Sequence, residues 1–226
     1  MIELSNRLNT IASLVPYSDD IADVGTDHGY LAVWLLQNQR AKHVFATDIH
    51  AGPLARAKQT ASEHDMLDGM TFHLCDGLQF PDAEKSGAVI LAGMGGETIL
   101  SILQAAPWTW ENTDLILQPQ SKQPVLFSWL REHGIGLCSA MLCRDAGKLY
   151  FAVRARGGTD TASSLEDLLL KSHDPLLPQY LGAEIKRIER ALAGISHANR
   201  ETSELKAELK ERKNYLESYR KEALTW

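Results

Sequence analysis

The stretch IADVGTDHGYLAVWLL, residues 21–36, gathers two carboxylates and two glycines around one turn between a buried apolar run and a helical run. Gly25 and Gly29 do not form the dinucleotide-binding fingerprint, because that motif needs three glycines spaced as GxGxxG. Asp23 and Asp27 would also repel a pyrophosphate where it needs backbone N–H groups. The turn therefore favours a ligand with positive charge, whose ammonium group either carboxylate could hold. A glycine turn that merely caps a helix is the alternative.

Three more segments of this kind follow predicted strands. Asp48 lies 23 residues after Gly25 and could accept both hydroxyls of a ribose, although an aspartate there could also cap the next helix. Asp76 could accept a hydrogen bond from the amine of adenine, with Gly77 leaving room for the ring; alternatively, this Asp-Gly pair is an ordinary turn. LAGMGGETI, residues 91–99, holds three glycines, more than a tight turn needs, which suggests close approach of the backbone to a ligand.

Ligands of open parallel sheets bind outside the carboxyl ends of the strands, and these four segments follow four successive predicted strands. Together they describe a pocket for a nucleoside with a cationic tail. S-adenosylmethionine has this chemistry, with an ammonium group, a sulfonium and no phosphate. The residues therefore favour S-adenosylmethionine over a dinucleotide.

The elements that must position this pocket are predicted from hydrophobic spacing. Apolar residues at helical spacing predict a helix over 3–15, ended by Pro16. A mostly parallel sheet with helices on both faces is predicted from the alternation that follows. The predicted strands are 21–25, 43–47, 70–74, 87–92 and 114–118, and the predicted helices are one from 29 and those at 51–64, 97–105 and 122–133. Two last runs, 135–142 and 148–153, predict an antiparallel hairpin at the sheet edge, joined by RDAGK.

The segment 156–164, RGGTDTASS, has the composition of a linker. Beyond it, two apolar stripes at steps of three and four predict a pair of antiparallel helices, similar to a coiled coil and broken near Gly194 to Asn199. We therefore predict two domains, 1–158 and 159–226. The two stripes are Leu181, Ile185, Ile188, Leu192 and Ile195, and Leu205, Leu209, Arg212, Leu216 and Tyr219.

Composition narrows the class of protein. The chain of 226 residues has a formal net charge of −6, so a nucleic acid could contact only a local basic patch. Residues 1–180 hold 13 Lys and Arg against 21 Asp and Glu, whereas residues 181–226 hold 10 against 8. No apolar run is long enough for a membrane span, and the three cysteines have no metal-binding spacing. We expect a cytoplasmic protein without a metal or a membrane partner.

The motifs DVGTDHGYLAVWL, ATDI, CDGL, AGMGG, ILQPQS and KLYFAVRA, with the early LSNRL, resemble the bacterial TrmK family of tRNA methyltransferases, which modify ring nitrogen 1 of adenine 22. The resemblance implies the Rossmann-like class I methyltransferase fold, S-adenosylmethionine as methyl donor and tRNA as substrate. It also implies donor-binding roles for Gly25, Asp27, His28, Gly29 and Tyr30 (methionine part), Asp48 and Ile49 (ribose), Asp76 and Gly77 (adenine), and Gly93 and Met94 (near the methyl group).

Four side chains are candidates for the chemistry around the methyl group. Arg7 could meet the donor carboxylate, because the glycine turn offers no cation for that group. Tyr30 could stack on the flipped target adenine, and Gln118 and Gln120 could contact its Watson–Crick edge. The alternatives are a solvated Arg7, a Tyr30 packed in the core, and two amides that only hold a loop.

The C-terminal helices offer cations for the phosphates of tRNA, although helices with interleaved Glu are often simply solvated. Two functions compete with this one. The chain could methylate another acceptor, or it could be a module that binds the donor without turnover and dimerises through the helical pair. The oligomeric state is left open. The candidate cations are Lys186, Arg187, Arg190, Arg200, Lys206, Lys210, Arg212 and Lys213.

Overall fold

The structure, a computed structural model, describes residues 1–195 and 200–226, with side chains for 1–195 and 203–226. The chain forms two compact units, Met1–Leu165 and Glu166–Trp226. The change of unit therefore comes seven residues after the boundary predicted between 158 and 159, because a strand and a turn of the first unit continue through the segment with linker composition.

The strands are β1 (Ser18–Val24), β2 (Ala41–Asp48), β3 (Met70–Leu74), β4 (Ala88–Gly95), β5 (Asp114–Ser121), β6 (Ile135–Asp145) and β7 (Lys148–Gly157). The helices are α1 (Asn6–Leu14), α2 (Tyr30–Gln37), α3 (Ala51–Glu63), α4 (Gly96–Ala105), α5 (Gln123–Glu132), α6 (Leu165–Lys171), α7 (Leu177–Gly194) and α8 (Arg200–Ala223).

All seven strands join one sheet in the order β3-β2-β1-β4-β5-β7-β6. The first five strands run parallel, while β7 pairs antiparallel with β5 and with β6. The predicted seven-stranded, mostly parallel sheet and its hairpin are thus confirmed, with β6 at the edge. The carboxyl ends of β1, β2, β3 and β4 consequently meet at one side of the sheet, where the four candidate segments begin.

The central strands are buried on both faces and therefore read as continuous apolar runs. Ile90 and Leu91 of β4 and Leu115, Ile116 and Leu117 of β5 have no exposed surface. Most strands are longer than predicted, because polar residues at their ends continue the hydrogen-bonded ladder. β1, for example, begins at Ser18, because Asp20 continues the ladder to His43 although its side chain is polar.

A buried aspartate holds the antiparallel edge at the end of the sheet away from the glycine turns. Asp114, at the start of β5, accepts from Arg154 Nε at 2.6 Å and from Arg156 Nη1 at 2.7 Å. Both arginines lie on β7, at alternate positions on one face of that strand. Because a buried carboxylate is costly without cations, this pair of ion pairs favours β7, and not β6, as the neighbour of β5.

The second unit contains α6, which the sequence prediction missed, together with α7 and α8. The two long helices run antiparallel, since Lys213 Nζ lies 2.8 Å from Glu189 Oε1 and Arg220 Nε donates to the Pro178 carbonyl at 3.2 Å. The predicted break falls partly on residues 196–199, which lie outside the described residues. Among the described helices, none is long and apolar enough to cross a membrane.

The predicted stripe on α8 does not form one seam. Leu205 is 46% exposed, whereas Leu216 is buried. Arg212 instead pairs with the buried Glu166 at 2.6 Å, and the Tyr219 hydroxyl donates to Asp167. Both partners lie on α6, so one flank of α8 is occupied by a helix that the heptad pattern did not anticipate.

Candidate active site

The turn after β1 depends on backbone that only glycine adopts easily. Gly25 and Gly29 have φ values of +70° and +71°, and Gly29 is the N-cap of α2. A Cβ added at Gly25 would lie 2.6 Å from Met94 Cε, and one added at Gly29 would lie 3.0 Å from the Ala57 backbone. The first glycine thus leaves room for the tip of the Met94 side chain, and the second lets the backbone of α3 approach the turn.

The two carboxylates of this turn lie in different environments. Asp23 is buried, and its Oδ2 accepts from the Thr26 hydroxyl at 2.7 Å. Burial raises the pKa of Asp23 to about 6, against the lowering effect of the Thr26 hydrogen bond and with a further rise from the nearby charge of Asp48. The described part of the turn brings no cation to Asp23 within 4 Å, so a positively charged ligand would stabilise its ionised form.

Asp27, by contrast, already has a cation. Its side chain is 63% exposed, and its Oδ1 lies 2.8 Å from Arg56 Nη2 on α3. The ring of the neighbouring His28 stacks on Tyr30 with the centroids 5.3 Å apart. Tyr30 is 42% exposed, so it is not packed in the core, which was the alternative to a substrate role. Between the two carboxylates, Asp23 is therefore the stronger candidate for the donor ammonium.

The end of β2 ties the neighbouring turns together. The Thr47 carbonyl accepts from the N–H groups of Gly25 at 2.8 Å and Thr26 at 3.0 Å, and the Thr47 hydroxyl donates to the Gly77 carbonyl at 3.0 Å. Asp48 accepts from the His50 N–H through Oδ1 at 2.8 Å. Asp48 therefore shapes the start of α3, whose N-cap is His50, while its Oδ2 has no described hydrogen bond and could bind a ribose hydroxyl.

The end of β3 forms the third side of the candidate pocket, after the turn that follows β1 and the end of β2. Gly77 has a φ of +57°, and a Cβ added there would lie 2.9 Å from Ile102 on α4. The exposed Asp76 lines a cleft with Leu78 and Ile102. Ile49, which directly follows Asp48, is 60% exposed, an unusual environment for an isoleucine. An apolar side chain beside a carboxylate that can accept from an amine matches the needs of an adenine ring.

The end of β4 is irregular, and a side chain of β5 completes it. The register with β5 shifts on both sides of Met94, which lies opposite Pro119. Because proline has no N–H and the ladder is interrupted, the backbone here needs another partner. The Gly93 N–H donates to Gln118 Oε1 at 3.1 Å, and the φ of +79° at this position requires glycine.

The same Gln118 oxygen also accepts from Arg7 Nη1 at 3.2 Å. The Arg7 guanidinium lies 6.0 Å from the centre of the Tyr150 ring and would be 3.5 Å from a Cβ at Gly93. Gln118 is 1% exposed, whereas Gln120 is exposed two residues further along the strand. α1, β4, β5 and β7 are thus joined around one amide oxygen beside the glycine segment.

Sequence reasoning missed Thr47, Arg56 and Tyr150, since none belongs to a glycine or carboxylate motif. Thr47 could have been found, because it directly precedes Asp48 at a predicted strand end. Arg56 and Tyr150 had no such signal, and they reach the site only through α3 and β7. Among the described residues, no group of three or more His, Cys, Asp and Glu side chains could hold a metal ion.

Thr47→Val is expected to weaken the binding of S-adenosylmethionine by about 1–2 kcal/mol. The Gly77 carbonyl would lose the hydrogen bond from the Thr47 hydroxyl, which holds the turn after β3 in place. Isothermal titration calorimetry of the protein with S-adenosylmethionine measures this loss. Thr47→Ser keeps the hydroxyl and serves as the control, with affinity close to that of the parent. Equal affinities for the valine and serine variants would show that this hydrogen bond does not support the site.

Comparisons with known proteins point to methyltransferases. The model of a family described as a methyltransferase domain matches residues 4–153. A Bacillus subtilis (strain 168) protein named tRNA (adenine(22)-N(1))-methyltransferase is 30% identical over 163 residues, which cover 72% of this chain and 68% of that protein. The crystal structure of the Bacillus subtilis tRNA methyltransferase TrmK aligns with a TM-score of 0.84 at 26% identity, covering 97% of this chain and 99% of that one. A Streptococcus pneumoniae protein crystallised with S-adenosyl-L-methionine aligns with a TM-score of 0.81 at 27% identity, covering 96% and 99%.

Proposed function

The chain belongs to the family of bacterial tRNA (adenine(22)-N(1))-methyltransferases, and from this membership we propose that it transfers a methyl group from S-adenosylmethionine to ring nitrogen 1 of adenine 22 in tRNA. The observation in the site that carries the proposal is the series of acidic residues Asp23, Asp48 and Asp76, at or just beyond the ends of three successive parallel strands. Such a rim suits a cationic nucleoside and opposes a pyrophosphate. A tRNA substrate implies that the enzyme works in the cytoplasm.

The described residues fit this donor part by part. Asp23 offers a buried negative charge for the ammonium, and the turn of Gly25 to Gly29 leaves bare backbone beside the methionine part. Asp48 offers its second oxygen to the ribose, with Ile49 beside it. These assignments remain proposals for the donor site. The same holds for the other residues of the site, which are Asp27, His28, Gly29 and Tyr30 along the methionine part, Asp76 and Gly77 for adenine, and Gly93 and Met94 near the methyl group.

The donor supplies a methyl group that is activated by a positively charged sulfur. Ring nitrogen 1 of adenine has a free lone pair, so the protein needs no base before the attack, and its main task is alignment. We assign this task to the β4 segment and to the groups that hold it, because Gln118 binds both the Gly93 N–H and Arg7. Gln118 thereby becomes a positioning residue, while the exposed Gln120 keeps the proposed contact with the base edge.

The placement of Arg7 changes its proposed role. Its guanidinium contacts Gln118 and the Tyr150 ring, and both belong to the β5 and β7 side of the site and not to the glycine turn after β1. The methionine part of the donor is assigned above to that first turn, through Gly25, Asp27 and Gly29. We therefore favour Arg7 as a residue of the target-base pocket, and its contact with the donor carboxylate becomes the weaker of the two hypotheses.

The target base must leave the folded tRNA, at a cost of a few kcal/mol that stacking in the pocket offsets. Tyr30 is exposed and already held by the His28 ring, so it offers a ready surface. Tyr30→Ala is expected to lower kcat/KM for tRNA by about 10- to 100-fold, the equivalent of about 1–3 kcal/mol of stacking, with a much smaller loss in donor affinity.

Tyr30→Phe keeps the ring and is the control, with activity near that of the parent protein. Steady-state kinetics and calorimetry on both variants separate the two effects. Equal losses in turnover and in donor affinity for Tyr30→Ala would count against a role toward the base and would leave Tyr30 with its role along the methionine part of the donor alone.

The proposed reaction is tested by incubating tRNA with the protein and methyl-labelled donor, digesting the RNA to nucleosides and analysing these by mass spectrometry. We expect the label in 1-methyladenosine, and we expect it to disappear from a tRNA whose nucleotide 22 is not adenosine. Label in any other nucleoside, or undiminished label in the altered tRNA, would refute the assigned acceptor.

A further inference from the structure

Tyr150, near the start of β7, has a hydroxyl group without a hydrogen-bond partner among the described residues. A tyrosine hydroxyl that is withdrawn from solvent usually has such a partner. The side chain is half-buried, yet its oxygen is not one of the buried polar atoms that lack a partner in the described part of the chain. The hydroxyl is therefore accessible and available to a ligand.

Tyr150 lies on the face of the sheet that α1 covers. Side chains alternate between the two faces of a strand. The ring of the next residue, Phe151, contacts Phe127 of α5. Tyr150 and Ala152 therefore share the opposite face, where Ala152 packs in one core cluster with Ile11 of α1. Because β7 runs antiparallel to β5, its first residues lie at the carboxyl end of β5, which is the end of the candidate site.

Contacts of α1 connect Tyr150 with the glycine segment of β4. Asn6 Nδ2 donates to the Arg144 carbonyl at 3.0 Å and so joins the first turn of α1 to the β6–β7 hairpin. The next residue, Arg7, has its Cζ 6.0 Å from the centre of the Tyr150 ring, and its Nη1 would be 3.5 Å from a Cβ at Gly93. One guanidinium is thus close to both, and Tyr150 borders the region to which the proposed function assigns the methyl group.

The polar groups turned toward Gly93 are hydrogen-bond donors. Arg7 has no acceptor, and Gln120 Nε2 would be 3.8 Å from a Cβ at Gly93. Gln118 Oε1 is an acceptor, but it already binds the Gly93 N–H and Arg7, which occupy its two lone pairs. Among these four side chains, the Tyr150 hydroxyl is therefore the acceptor that is left for a base whose edge carries an amine.

Methylation of adenine creates a need for such an acceptor. The lone pair of ring nitrogen 1 forms the new bond to the methyl carbon, and the sulfur keeps the electron pair of the bond that breaks. The positive charge of the donor thereby moves onto the base, where it is shared with the exocyclic amine beside ring nitrogen 1. The N–H groups of this amine become stronger donors during the reaction, so an acceptor next to them stabilises the transition state more than the ground state.

We propose that Tyr150 is a specificity-determining residue of the methyl-transfer site, and that its hydroxyl oxygen accepts a hydrogen bond from the exocyclic amine of the target adenine. This inference rests on the proposed function, which supplies adenine as the methyl acceptor. The contact aims ring nitrogen 1, which is adjacent to the amine, at the methyl group. Tyr30 keeps the role of stacking surface, and Tyr150 fixes how the base is turned within its plane.

Removing the hydroxyl and the amine separately and together tests the proposal. Tyr150→Phe removes the hydroxyl, and a tRNA with purine at position 22, where hydrogen replaces the amine, removes the amine. On the adenine tRNA, we expect Tyr150→Phe to lower kcat/KM about 10-fold, the loss of one hydrogen bond to a partly charged group. On the purine tRNA, parent and variant should agree within about twofold, because the missing amine leaves the hydroxyl nothing to bind. The lower intrinsic reactivity of purine is common to both proteins and cancels.

Single-turnover labelling with excess protein detects the slow transfer to purine. The donor Kd and the melting temperature of Tyr150→Phe should stay close to those of the parent. Tyr17→Phe is the matched control, since it removes a tyrosine hydroxyl that binds Asp19 just before β1, at the opposite end of the sheet. Its kcat/KM should lie within about twofold of the parent value on the adenine tRNA.

Parent-like kcat/KM of Tyr150→Phe on the adenine tRNA would overturn the proposal. Removal of the amine that lowers kcat/KM by the same factor in parent and variant would overturn it too, and a donor Kd weakened as much as kcat/KM would assign the hydroxyl to the donor. The parent protein separates this inference from the proposed function. Methylation of adenine 22 by the parent establishes the reaction whatever the variant does, and absence of methylation by the parent would refute the reaction itself.

Discussion

Asp23→Asn is expected to stabilise the donor-free protein and to weaken donor binding. Both effects come from the loss of one buried negative charge, the Asp23 carboxylate. In the folded protein burial raises the pKa of Asp23 to about 6, from the value of 3.8 that is ordinary for an exposed aspartate. The folded state therefore binds this proton more tightly than the unfolded state. The resulting stability is fully present below about pH 4 and is lost as the pH rises through about 6.

At pH 7 the ionised Asp23 costs the donor-free protein roughly 3 kcal/mol, since each unit of pKa shift corresponds to about 1.4 kcal/mol. Asparagine carries no such cost, so the variant should gain up to this amount in the free energy of unfolding at pH 7 and much less at pH 4. A cationic donor offsets the same charge when it binds. The variant should therefore lose about 10- to 100-fold in donor affinity, and the affinity of the parent protein should increase between pH 5 and 7.

Urea unfolding of the donor-free proteins at pH 4, 5, 6 and 7, and calorimetric titration with S-adenosylmethionine at pH 5, 6 and 7, measure these effects. Thr26→Val is the matched control: without the hydroxyl that donates to Asp23, the pKa should rise further and the increase in affinity should move to higher pH. A donor affinity in the parent protein that does not change from pH 5 to 7, or an Asp23→Asn variant with unchanged affinity, would contradict the pairing of Asp23 with the ammonium.

Gln118→Met is expected to lower kcat for tRNA methylation about 100-fold, the equivalent of about 2.7 kcal/mol of transition-state alignment. Methionine has nearly the same length and no hydrogen-bond acceptor of comparable strength. Both the Gly93 N–H and the Arg7 guanidinium would lose the oxygen that fixes them beside the β4 segment. Because the proposed donor site lies at the ends of β1, β2 and β3, the donor Kd should change much less than kcat.

Gln118→Glu separates positioning from a direct contact with the base. Its carboxylate can accept from the same two donors, so a positioning role predicts that most of the kcat lost in the methionine variant is recovered. Removing an acceptor from a buried site also costs about 1–3 kcal/mol of stability, so the assays belong well below the measured Tm of each variant. Equal and severe losses in both variants would instead indicate that the amide N–H₂ group of Gln118 contacts the adenine edge.

Much of the fold follows from local patterns of the sequence. The predicted strand 70–74 coincides with β3, and the other strands of the sheet were predicted with ends displaced by at most four residues. This succeeded because strand and helix periodicity is a property of neighbouring residues, and because buried parallel strands are nearly continuous in apolar residues. α6 was missed, since its seven residues follow a segment with linker composition and are too few to show a period.

The sequence by itself also determined which strand ends carry carboxylates and bare backbone, and hence the class of ligand. Only the tertiary structure decided which of these groups are already engaged. Asp23 and Asp27 look alike in the sequence, yet one is buried and the other is paired with Arg56, 29 residues away. Gln118 is bound by Arg7, 111 residues away. Side-chain partners at such separations are determined by how the helices and strands pack. The local spacing of residue types in the sequence does not determine that packing.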